Sequence, residues 1–154
     1  MKLLTKIRFV ILFMMFAIII SGITAFPVET ELAWLFRHPG LIPVFAENWL
    51  KDVYGALKET NAKYPMLAYG YDWLAFAHIV IAMAFIGPYK DPLKNEWIID
   101  WAILCCLAVF PLAFIAGPIR GIPLFHILID CSFGLIGLLP LIICKRWIKQ
   151  LKHI

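Results

Sequence analysis

Four long apolar runs, at 9–26, 71–87, 97–117 and 122–144, decide what this chain can fold into. A helix rises ~1.5 Å per residue and needs about 20 residues, within about 17–25, to cross a ~30 Å hydrocarbon core. All four runs meet that length, the second only just. Backbone N–H and C=O groups find no water inside lipid, so only helices and closed barrels can span. None of the runs alternates polar with apolar residues as a barrel strand does, and helices are expected. Composition points the same way. The chain is 63% hydrophobic and 16% charged, against roughly 45–50% and about 25% in soluble proteins. A soluble domain this small has too much surface to hide that apolar area. The expected fold class is all-α: one integral membrane domain over 1–154, a bundle of four transmembrane helices with an amphipathic helix at its outer face.

The basic residues set an orientation. Lys2, Lys6 and Arg8 precede the first run, Lys90 and Lys94 separate the second from the third, and Lys145, Arg146, Lys149 and Lys152 follow the fourth. Four crossings put these nine of the fourteen basic residues on one side. The remainder, Arg37, Lys51, Lys58, Lys63 and Arg120, are interspersed with six acids on the other. The positive-inside rule then makes both termini cytoplasmic, in a multi-pass protein of a cell membrane. Trp34, Trp49 and Trp73 fall toward the outer boundary and Trp97, Trp101 and Trp147 toward the inner, as interfacial indoles do. The net charge of +4 follows this pattern, so it reads as a topology signal; the expected partner is the lipid bilayer, and no nucleic acid. A basic start, the apolar stretch 9–20 and the small-residue sequence Ile23-Thr24-Ala25 also resemble a cleavable leader. An uncleaved anchor is the expectation.

The segment 27–70 is too long for a turn. Thr30 is placed to cap a short helix through Leu35, which His38-Pro39-Gly40 would end. A second helix is expected over about 46–60, where Leu50, Val53, Tyr54 and Leu57 share one face at helical spacing. Such a helix lies flat at an interface or covers the mouth of the bundle.

Ionisable residues inside membrane helices are costly and usually face the bundle interior or a watery cavity. His78, Asp100, His126 and Asp130 lie within runs, with Asp72 and Arg120 at the outer boundary. Counted from the outer ends of their runs, His78 is roughly 10 Å deep, His126 about 6 Å and Asp130 about 12 Å. His78, Asp130, His126, Arg120 and Asp72 therefore form the candidate site, a ligand or proton pocket in the outer half. His126 and Asp130, four apart, share a helix face. Asp100 lies near the opposite end of its run and is expected apart from them. Two histidines on separate helices are also the arrangement that holds a b-type haem, making His78 and His126 the candidate axial ligands. With Asp130 they offer a divalent-metal set instead. The plain alternative is mutual pairing that fixes helix register. No nucleophile triad, phosphate loop or metalloprotease pattern is present, so no catalytic residue is assigned.

Cys105, Cys106, Cys131 and Cys144 lie inside or beside apolar runs without C-x-x-C spacing, which suits helix packing better than a disulfide framework or a zinc site. Gly87-Pro88 and Gly117-Pro118 read as helix stops, and the short link between the third and fourth runs makes them an antiparallel hairpin. Cys131, Gly134 and Gly137 form a small-residue strip that serves the bundle or a homo-oligomer.

From Leu74 onward the series Leu74-Ala75-Phe76-Ala77-His78, Gly87-Pro88, Asp91-Pro92, Gly117-Pro118-Ile119-Arg120-Gly121-Ile122-Pro123 and Ile129-Asp130-Cys131-Ser132-Phe133-Gly134 resembles a group of small bacterial membrane proteins with no assigned activity. The resemblance covers about the C-terminal half. It implies a bacterial inner-membrane location and carries over no site residue. The expected function is non-enzymatic: an outward polar pocket that binds a ligand or assists a larger membrane complex, with a haem electron carrier or a purely structural subunit as the alternatives.

Overall fold

The computed structural model describes residues 2–153, and every regular element in it is helical. In chain order these are α1 (Leu3–Ala25), α2 (Val28–Phe36), α3 (Val44–Lys63), α4 (Ala68–Ala84), α5 (Ile86–Lys90), α6 (Glu96–Ile119) and α7 (Leu124–Leu151), with single 3-10 turns at Pro39–Leu41 and Pro65–Leu67. Four stretches are long and apolar enough to cross a membrane: α1, Pro65–Lys90, α6 and α7. The chain is a multi-pass α-helical membrane protein.

The fold divides into two compact units, Met1–Ala17 with Ala82–Ile154, and Ile18–Ile81. α1 and α4 contribute residues to both.

The first unit is built on the α6–α7 hairpin. Through their middle turns these helices are apolar on every side, so residue size rather than polarity decides which face packs. On α7 the buried positions are Ile127, Cys131, Gly134, Gly137, Leu141, Cys144 and Ile148, a near-heptad seam of mostly small side chains. Bulky Phe133, Leu135 and Leu139 point outward at 49–66% exposure, available to acyl chains. A Cβ on Gly134 would lie 2.9 Å from the Cys106 carbonyl oxygen, and one on Gly117 would lie 2.7 Å from Ile127 Cδ1. The small-residue strip therefore packs α7 onto α6. Gly137 completes it against Cys106 Sγ and Met14 of α1, whose Ile7 and Ile11 are also buried.

Prolines and glycines act differently from their sequence reading. α6 runs through Gly117-Pro118 and stops at Ile119, with Arg120 as its C-cap. There Gly121 adopts φ +68°, its N–H bonds Pro118 O at 3.1 Å and the Ile122 N–H bonds Gly117 O at 3.0 Å. This is a Schellman cap, with Gly121 in the left-handed position. Gly87-Pro88 does not end a helix either. α4 stops earlier, at Ala84, and α5 passes through both residues. Pro88 lacks the N–H that would bond the Ala84 carbonyl, so the break falls one turn upstream, and within α5 the missing donor is one no first-turn residue uses. Asn95 then secures the loop by donating Nδ2 to the carbonyls of Gly87 (3.2 Å) and Asp91 (2.9 Å).

The second unit joins α2, α3 and the adjoining stretches of α1 and α4. α2 begins at Val28 behind Pro27, whose carbonyl accepts from Glu31 N at 2.9 Å; Thr30 lies inside the helix and caps nothing. The expected apolar face of α3 is the half-buried one, with Tyr54 stacked on Phe36 of α2 at 5.4 Å between ring centres. Gly22 of α1 meets α4 closely: a Cβ there would stand 2.7 Å from Ala75 O and 2.9 Å from His78 Cβ.

Candidate functional site

In the first unit the candidate residues are Arg120, His126 and Asp130. Arg120 is the C-cap of α6. Its backbone N–H is shared between the carbonyls of Ala116 (3.0 Å) and Gly117 (3.1 Å), and its side chain is exposed. Pro123 caps the start of α7, and His126 N bonds its carbonyl at 2.9 Å. One helical turn separates His126 from Asp130, and the pair forms: His126 Nε2 lies 3.9 Å from Asp130 Oδ1. The side chains stay 41% and 44% exposed. That contact is longer than a hydrogen bond, and it is the one polar contact of the Asp130 carboxylate among the described residues. An under-bonded acid thus stands on the outside of an apolar helix, beside exposed Leu128, Ile129 and Phe133.

In the second unit stand Asp72 and His78, both on α4 and both half-buried. His78 Nδ1 lies 2.8 Å from the Leu74 carbonyl, one turn back. A carbonyl only accepts, so Nδ1 carries the hydrogen and, in the neutral ring, Nε2 keeps the lone pair. His38 repeats the arrangement at the end of α2, with Nδ1 2.9 Å from Trp34 O and its ring 4.5 Å from the Trp34 ring centre.

Two polar groupings escaped the sequence reading. In the first unit Asp100 of α6 pairs with Lys145 of α7, and Glu96 with Lys152. In an antiparallel hairpin, residues at similar distances from the turn face each other, so the Gly-Pro turn itself was the signal for both pairs. In the second unit a carboxylate, an amide and a phenol form a chain. Tyr71 Oη donates to Asn61 Oδ1 at 2.8 Å, and Asn61 Nδ2 donates to Glu29 Oε2 at 2.6 Å, tying α4 to α3 and α3 to α2. No periodicity marks these three residues.

No group of three or more His, Cys, Asp or Glu side chains able to hold a metal ion occurs among the described residues. The four cysteines are free thiols, Cys131 and Cys144 buried and Cys105 exposed. Compared with known proteins, the chain matches no family model, no curated protein and no solved structure.

Proposed function

We propose that this small polytopic membrane protein is non-enzymatic and assists a larger membrane complex through an outward polar pocket on α7. Arg120, His126 and Asp130 line it, and a hydrogen-bond donor or cation on a partner's membrane segment fills it. The observation that carries this reading is the Asp130 carboxylate, 44% exposed on an apolar helix with His126 3.9 Å away. Lipid offers such a group no donor, and ionisable residues in spans are normally covered. His78 and Asp72, on α4 of the second unit, are candidates in their own right by residue type and depth. The reading includes a bacterial inner membrane, cytoplasmic termini and α3 lying at the outer interface. The grouping of nine basic residues in three segments and the one-sided apolar face of α3 support it.

A photo-crosslinking residue in place of Ile129, itself 45% exposed beside Asp130, tests the reading in native membranes. The expected result is a discrete adduct with another membrane protein, lost when Asp130→Asn is added. Adducts with lipid alone, or a protein adduct indifferent to Asp130→Asn, reject it; failure of the adduct to form when a small polar solute is present during irradiation would make the occupant a ligand.

The haem reading has one observation of its own. The Leu74 carbonyl fixes the His78 tautomer that leaves Nε2 free to ligate, the usual arrangement of a ligating histidine. A reduced-minus-oxidised spectrum of protein from haem-replete cells decides the matter, and a flat Soret region ends this reading.

A further inference from the structure

The geometry points to a binding site for the phosphate headgroup of an anionic phospholipid at the basic end of the first unit, between the start of α1 and the loop after α5. It is independent of the α7 reading. A cleft of about 360 Å³ opens there, within the roughly 300–1,000 Å³ of ligand pockets. Its walls are apolar, from Leu4 of α1, Pro92 and Leu93 of the loop and Leu151 of α7, and its polar groups are Arg8, Lys90 and Asp91.

Arg8 is held in place before any ligand arrives. Its Nε donates to the Tyr89 carbonyl at 3.1 Å, and the guanidinium lies over the Tyr89 ring at 5.6 Å. No described residue accepts from its two Nη groups. A planar fork with both outer nitrogens free is the geometry that binds phosphate oxygens in pairs. Lys90, next to Tyr89, brings a second cation to the same cleft.

The nearby acids do not cancel this charge. Asp91 accepts from Lys94 N at 3.1 Å and pairs with Lys94 Nζ at 3.6 Å. Glu96 and Asp100 are engaged by Lys152 and Lys145. Arg8 and Lys90 have no carboxylate partner among the described residues. Position selects lipid over a soluble anion: Arg8 is the last charged residue before the apolar run 9–26, so the cleft stands where that run meets the headgroup layer. Basic pockets between membrane helices bind phospholipid headgroups of this kind.

The test is native mass spectrometry of the full chain in mild detergent with phosphatidylglycerol or phosphatidylcholine of equal acyl chains. Wild type is expected to retain phosphatidylglycerol preferentially. A surface cation contributes about fivefold to anionic-lipid binding, so Lys90→Gln should lose about fivefold and Arg8→Gln with Lys90→Gln more than tenfold, with phosphatidylcholine unchanged. Lys149→Gln, an exposed cation away from the cleft, should keep the preference. Equal retention of both lipids overturns the site, as does an equal loss in Lys149→Gln. Displacement of the lipid by millimolar glycerol phosphate assigns the cleft to a soluble phosphate and overturns the lipid proposal. Should Arg8→Gln not fold, Lys90→Gln alone decides, because Lys90 makes no side-chain contact that holds the fold.

Discussion

Gly134 of α7 sits against the backbone carbonyl of Cys106 in α6, so close that a methyl group there would stand 2.9 Å from the oxygen. Backbone cannot swing aside as a side chain can. Gly134→Ala should separate α6 from α7 and destabilise the protein by about 1–3 kcal/mol, the usual cost of overpacking. Gly55→Ala is the matched control. Gly55 has nothing within 4 Å of a built Cβ and lies inside α3, so alanine there should stabilise by about 0.5–1 kcal/mol. Thermal unfolding in detergent measures both, and equal midpoints for the two variants would contradict the seam.

Asp100 and Lys145 should behave as a unit. Replacing Lys145 by Met strands a carboxylate at the end of a membrane helix, and replacing Asp100 by Asn strands an ammonium. Either single change is expected to cost more than both together, because the double variant leaves no unpaired charge. The side chains are 32% and 47% exposed, which keeps the effect small, at about 1 kcal/mol or less. Additive losses across the cycle would show that the pair does not couple.

Asn61 bridges a phenol and a carboxylate. Asn61→Ala removes both hydrogen bonds and leaves Glu29 and Tyr71 unbridged. The charge-assisted bond to Glu29 is of a kind that contributes about 1.5–3 kcal/mol. Amide hydrogen exchange in α2 and α3 should therefore accelerate by tenfold or more, while α6 and α7 exchange as before. Unchanged protection in α2 would mean that the Phe36–Tyr54 stack alone holds it to α3.

The orientation has its own assay. Single cysteines at Lys94 and Lys149, in a variant lacking the four native thiols, should react with a membrane-impermeant maleimide only after inverted vesicles expose the cytoplasmic face. A cysteine at Lys58 should react in intact cells. Labelling of all three from the same side would overturn the proposed topology.

Much of the fold was legible because apolar runs of spanning length leave the chain few alternatives. The four spanning helices, the 117–123 turn and the α3 face all follow from spacing. The register of the turn was misread. Gly117-Pro118 looks like a stop, yet lipid leaves an unbonded carbonyl without water, and a helix gains by running on until Gly121 can close it with backbone bonds. Gly87-Pro88 misled for a related reason, since the cost of Pro88 appears at Ala84. His126 and Asp130 were legible as a pair from their four-residue spacing alone. Asn61, Tyr71 and Glu29 were not, because a hydrogen-bond chain across three helices leaves no trace in any one of them.

The seam between α1 and the hairpin bears on how the protein is made. Met14 and Lys6 meet Gly137 and Trp147, near the other end of the sequence. A ribosome delivers α1 to the bilayer well over a hundred residues before those partners exist. α6 and α7, joined by a turn that closes on its own backbone, have their mutual contacts as soon as both emerge. Translation thus supplies the self-sufficient hairpin well after α1, whose first half waits in lipid for Gly137 and Trp147 while its Gly22 end can already pack on α4.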